Sequence, residues 1–79
     1  YNLGSLFLQQ GQLEQARSAY LAAIAADSTF ARTYYALAAV YEAQGAIPQA
    51  RENYLIFIER WQGDPGFLHQ ARAKLAQLP

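Results

Sequence analysis

The 79-residue chain has no cysteine and no methionine, and only one histidine and one tryptophan. Without cysteine there can be no disulfide framework and no thiolate zinc site. The lone histidine, His69, has no serine or carboxylate partner marked by spacing, so it reads as a half-exposed polar residue rather than a catalytic or metal-binding one. Charge of either sign is scarce: six Lys/Arg offset six Asp/Glu, and the net charge is zero. The basic residues Arg17, Arg32, Arg51, Arg60, Arg72 and Lys74 are scattered, whereas a nucleic-acid footprint needs them clustered on one face. The carboxylates of Glu14, Asp27, Glu42, Glu52, Glu59 and Asp64 stand apart, and no loop has calcium-site spacing. The five glycines form no phosphate-binding run. No apolar run approaches the roughly 18–20 residues of a membrane span, and no signal-peptide pattern is present. These absences point away from an enzyme, a cofactor, a metal site, a nucleic-acid partner and a membrane span. With no methionine and an opening at Tyr1 inside a helical pattern, the chain reads as a fragment.

What is present is repetition. Tyr1, Leu3, Gln10, Gly11, Gln15, Ala16, Arg17, Tyr20, Leu21 and Ile24 recur 34 positions later as Tyr35, Leu37, Gln44, Gly45, Gln49, Ala50, Arg51, Tyr54, Leu55 and Ile58. Gly4 and Ala38, Leu6 and Val40, Phe7 and Tyr41, and Leu13 and Ile47 are conservative pairs at the same offset. A period of this length is the mark of a stacked helical array.

Each unit reads as two amphipathic helices. Leu3, Leu6 and Phe7 stripe the first, and Gly11 ends it, since glycine tolerates the left-handed conformation of a helix terminus. Leu13, Ala16, Tyr20, Ala23 and Ile24 share a face of the second. Asp27, Ser28 and Thr29 supply turn and N-cap chemistry. In the next unit Tyr34, Leu37 and Tyr41 form the stripe, Gly45 the stop, and Pro48 suits the first turn that follows. Ala50, Tyr54, Phe57 and Ile58 form the inner face of the fourth helix. Gly63, Asp64, Pro65 and Gly66 make a turn, with Asp64 as N-cap. A final helix places Phe67, Ala71, Leu75 and Leu78 on one stripe and Gln70, Arg72, Lys74 and Gln77 away from it. The expected helices are 1–10, 13–26, 30–44, 47–61 and 66–78.

These residues carry a family resemblance. Leu3-Gly4, Phe7, Gly11, Ala16, Tyr20 and Ala23, repeated as Leu37-Ala38, Tyr41, Gly45, Ala50 and Tyr54, resemble the tetratricopeptide repeat. The resemblance implies an all-α fold, a right-handed superhelix of stacked helical hairpins. The expected organisation is a first unit over 1–30 lacking its opening turn, a second over 31–64, and a capping helix over 65–79. Three departures stand out. Ser28 and Gln62 occupy the place of a frequent terminal proline. Phe57 answers the small Ala23 and, with Trp61 one turn on, reads as packing under the capping helix. The opening turn of the first helix and an upstream neighbour are missing.

The resemblance also implies a concave groove lined by the first helix of each unit. Its positions here are Tyr1, Ser5, Leu8 and Gln9, then Arg32, Tyr35, Ala39, Glu42 and Ala43, then His69 and Ala73. One branch of the family holds chaperone carboxy termini in a clamp of lysine, asparagine and arginine. The matching positions here are Tyr1, Ser5, Ala36, Gly66 and Gln70, which cannot form charge-assisted bonds to a carboxylate, so that clamp is rejected. The expected function is a protein-interaction module that binds a peptide or helical segment of a partner in a shallow, near-neutral groove. The alternative is assembly into a homo-oligomer through the open edge of the first helix.

Overall fold

The computed structural model describes residues 10–27 and 31–79, and the expectations for residues 1–9 and 28–30 lie outside them. Four helices occupy the described residues: α1 (Leu13–Ala26), α2 (Ala31–Ala43), α3 (Ile47–Arg60) and α4 (Pro65–Gln77). Each lies within one residue, at either end, of its expected span. No strand is present among the described residues, and none of the described helices is long and apolar enough to cross a membrane.

Turn chemistry separates the helices as the period requires. Gly11 and Gly45 adopt φ of +74° and +77°. At the end of α2 the Ala46 N–H donates to the Tyr41 carbonyl at 2.9 Å and the Gly45 N–H to the Glu42 carbonyl at 3.1 Å. This paired closure satisfies the last helical carbonyls and needs a left-handed residue at its centre. Among the described residues a Cβ at either position would meet nothing within 4 Å, so crowding by them is not the reason for glycine. The dihedral demands it. The next residues also match, with Gln12 at φ −90°, ψ 77° and Ala46 at φ −83°, ψ 73°. Neither caps its helix through a side chain. Pro48 lies in the first turn of α3, where its missing N–H costs nothing.

Packing places α2 at the centre. It buries Ala31, Thr33, Tyr34, Ala36, Leu37, Ala38 and Val40, a wider surface than the expected stripe, because α1 and α3 cover it from two sides. One core cluster joins Ala16 and Tyr20 of α1 to Ala36, Leu37 and Val40. The other joins Ala31, Tyr34 and Ala38 to Ala50, Tyr54 and Phe57 of α3 and Ala71 of α4. Ile24 and Tyr41 pack against both clusters. Fully buried alanines at positions 16, 38, 50 and 71 bring the helix axes close, and the large Tyr20, Leu37, Tyr54 and Phe57 fill what remains.

The approach to α4 is a built corner. Trp61 caps the end of α3 in an extended conformation, and its indole N–H donates to the Asp64 carbonyl at 2.8 Å. A Cβ on Gly63 would overlap the Trp61 ring, so the indole folds back over a residue that must lack a side chain. Asp64 accepts from the Gly66 N–H at 2.8 Å and Pro65 opens the helix, as the sequence leads one to expect. Only Ala71 of α4 is buried, with Leu75 and Leu78 packed at the margin of the core. Phe67, expected on the inner stripe with them, is 38% exposed. Trp61, in the corner between α3 and α4, stacks on the inner Phe57 and meets the Phe67 ring edge-on.

Candidate partner-binding site

The same corner creates the candidate site. Arg32 and Tyr35 stand one turn apart near the start of α2, Phe57 lies in the last turn of α3, and Phe67 in the first turn of α4. Together they line an open pocket of about 280 Å³. That is near the lower bound of small-molecule pockets, about 300 Å³, and suits one or two side chains.

The rings of Tyr35, Phe57 and Phe67 that line the pocket belong to a longer series that includes Tyr54 and Trp61. Tyr35 meets Tyr54 edge-on at 5.5 Å and 78°, and Phe57 at 5.1 Å and 68°. Phe57 stacks on Trp61 at 5.3 Å and 25°, and Trp61 meets Phe67 edge-on at 5.2 Å and 69°. These are the offset and edge-to-face geometries that the ring quadrupole favours. The Arg32 guanidinium lies over two of the faces, 5.5 Å from the Trp61 centroid and 5.7 Å from that of Phe67, within cation–π range.

Electrostatics along the α2 stripe divide into an engaged end and an open end. At the engaged end the Tyr54 hydroxyl donates to Glu42 Oε1 at 2.8 Å. Burial above all, and then this bond to Glu42, hold the Tyr54 hydroxyl well above its usual range, so it stays a neutral donor. At the open end Arg32 is exposed, and among the described residues only rings contact its charge. Arg60 is differently placed: its guanidinium lies 5.2 Å from the Tyr34 ring and donates to the Tyr34 hydroxyl at 3.3 Å.

The groove positions read from sequence are thus distributed unevenly. Arg32 and Tyr35 line the pocket. Ala39 and Glu42 are half-buried further along α2, and Ala43 is exposed. His69 and Ala73 are exposed on α4, and neither lines the pocket. Tyr1, Ser5, Leu8 and Gln9 lie outside the described residues. Phe57 and Phe67 were not among the expected site residues. Their signal was nonetheless present, as a large ring at 57 where the first unit has Ala23, followed by Trp61 and Phe67. Phe57 does pack as a core aromatic, 1% exposed, and also lines the pocket. Among the described residues no group of three or more His, Asp or Glu side chains is placed to hold a metal ion.

Helical hairpins closed by left-handed glycines and stacked through small residues define a repeat protein of the interaction class. The family model for the TPR repeat matches residues 4–45, more than half of the chain. The chain therefore belongs to the TPR repeat family, whose repeats generally mediate protein–protein interaction. No curated protein and no solved structure matches it.

Proposed function

We propose that this chain is a protein-interaction module that receives a peptide or helical segment of a partner along the α2 stripe, anchored in the pocket of Arg32, Tyr35, Phe57 and Phe67. The observation that carries this reading is the pocket itself: an open, mainly aromatic cavity of about 280 Å³ on which two groove positions converge. Aromatic and arginine side chains dominate the energetics of protein interfaces, because they combine large apolar area with directed polar groups. Near-neutral surroundings favour a segment held by side-chain insertion over one held by dense charge.

A display library of random peptides, selected on the 79-residue chain, tests the reading. The enriched peptides should bind the wild type and lose at least tenfold in affinity, roughly 1.4 kcal/mol, to Phe67→Ala and to the double variant Arg32→Ala with Tyr35→Ala. Circular dichroism should show helicity retained in each. Enriched peptides that bind these variants as tightly as the wild type would place the binding surface elsewhere.

A further inference from the structure

We infer that the pocket is specific for an acidic–apolar pair in the partner segment: a bulky apolar side chain enters between Tyr35, Phe57 and Phe67, and an adjacent carboxylate binds Arg32. This deepens the interaction reading above and rests on it.

The chemistry follows from how Arg32 is held. Its guanidinium carbon lies 5.5 Å from the Trp61 centroid and 5.7 Å from that of Phe67, contacts that use its charge and none of its N–H donors. Among the described residues Arg32 makes no hydrogen bond and no ion pair. Two carboxylates on the neighbouring elements already accept hydrogen bonds from other groups. Glu42, on the same stripe, is ten residues and roughly 15 Å further along the helix and accepts from Tyr54. Asp64 Oδ1 accepts from the Gly66 N–H as the cap of α4.

An arginine held over two rings is also pre-organised. Its planar fork matches a carboxylate bidentately, and its weak hydration lowers the cost of pairing. The rings below it form the apolar half of the site. Three of the four lining residues are aromatic, and Phe67 is exposed enough to be covered by a ligand. A cationic side chain would meet the Arg32 charge at the mouth and find the Trp61 and Phe67 faces already taken. A carboxylate with no apolar neighbour would leave the cavity empty. Only a segment with both features uses the whole site.

The chain carries its own reporter, because Trp61 is its only tryptophan and forms part of the ring series. Four blocked hexapeptides serve as probes, differing only at a central pair: phenylalanine–glutamate, phenylalanine–glutamine, phenylalanine–lysine and alanine–glutamate. Each is titrated to about 5 mM, a range that captures millimolar binding, while Trp61 emission is followed. The phenylalanine–glutamate peptide should shift the emission saturably and bind about fivefold to tenfold more tightly than its glutamine counterpart, the scale of one charge-assisted pair. That advantage should vanish in Arg32→Gln, persist in part in Arg32→Lys, and shrink as salt rises to about 0.5 M.

Equal binding of the glutamate and glutamine peptides would overturn the acidic half and leave the groove reading standing. Tightest binding of the lysine peptide would overturn it in favour of a cation cage. Equal binding of alanine–glutamate and phenylalanine–glutamate would overturn the apolar half. Silence of Trp61 toward all four would overturn the inference. The groove reading would then fall only if the selected peptides also ignored Phe67→Ala.

Discussion

Helices α1 and α3 stand 34 residues apart in the chain, and at six of their fourteen positions they carry the same residue. Ala16 and Ala50 are fully buried, Tyr20 and Tyr54 nearly so, Ile24 and Ile58 half-buried, and Leu21 and Leu55 exposed at 44% and 52%. The glycines before them share one dihedral. The helices part at one buried position, where Ala23 of α1 is answered by Phe57 of α3. Ala23 is half-buried and small. Phe57 is buried, stacks on Trp61 and meets Tyr35. Everything distinctive about the candidate site grows from that exchange. The repeat supplies the scaffold, and the departure from it supplies the pocket.

The largest break in this comparison is Phe57→Ala, which makes α3 match α1. It should cost about 3–5 kcal/mol, the range for an aromatic removed from a packed core, and should be read by urea denaturation with far-UV circular dichroism. A loss below about 1 kcal/mol would show that Trp61 collapses into the space and that Phe57 is dispensable to the corner.

Next come Gly45→Ala and, separately, Gly11→Ala. Each forces a Cβ into the left-handed region and should cost about 1–2 kcal/mol. The two costs should agree, since the dihedrals agree and no described residue crowds either site. Unequal costs would mean that the two turns do not carry equal strain.

A smaller effect is expected of Tyr54→Phe, which removes the hydroxyl bonded to Glu42. It should lower stability at neutral pH by about 1 kcal/mol, typical of one hydrogen bond. The pH dependence has a definite sign. The folded state holds the Tyr54 hydroxyl above its ordinary 10.0, so its contribution is complete below pH 10. It is lost as pH rises through the folded-state value, because the unfolded chain ionises first. Stability of the wild type should therefore decline above pH 10 more steeply than that of Tyr54→Phe. Parallel alkaline profiles would count against a buried, neutral Tyr54.

Smallest of all is Glu14→Gln. Glu14 pairs with Arg17 at 2.6 Å on the surface of α1 and accepts from Gln44 at 2.9 Å. The Glu14 side chain is 68% exposed and that of Arg17 38%, so screening limits the loss to about 0.5 kcal/mol. A change several times larger would reveal that the Gln44 link between the start of α1 and the end of α2 matters to their docking.

Much of this molecule could be read before its structure. The helix spans, the glycine stops, the Asp64–Pro65 start of α4 and the inward Ala16, Tyr20, Ala50 and Tyr54 all follow from local patterns. They could be read because each depends on residues a few positions apart, and because the 34-residue offset states most of them twice. The groove positions Arg32 and Tyr35 came from the family resemblance. Their neighbours Phe57 and Phe67 did not, since one sits at a position normally small and the other on a stripe expected to face inward.

The sequence by itself determined the period, the helices, the turns and the family, because those are set by backbone dihedrals and by helical spacing of apolar residues. Only the tertiary structure decided that Trp61 turns back over Gly63, that Phe67 is left exposed, and that Glu42 is taken by Tyr54 while Arg32 rests on two rings. Each of these brings together side chains from different helices or across a loop. Their directions depend on how three helices share a limited volume, and no spacing along the chain records that.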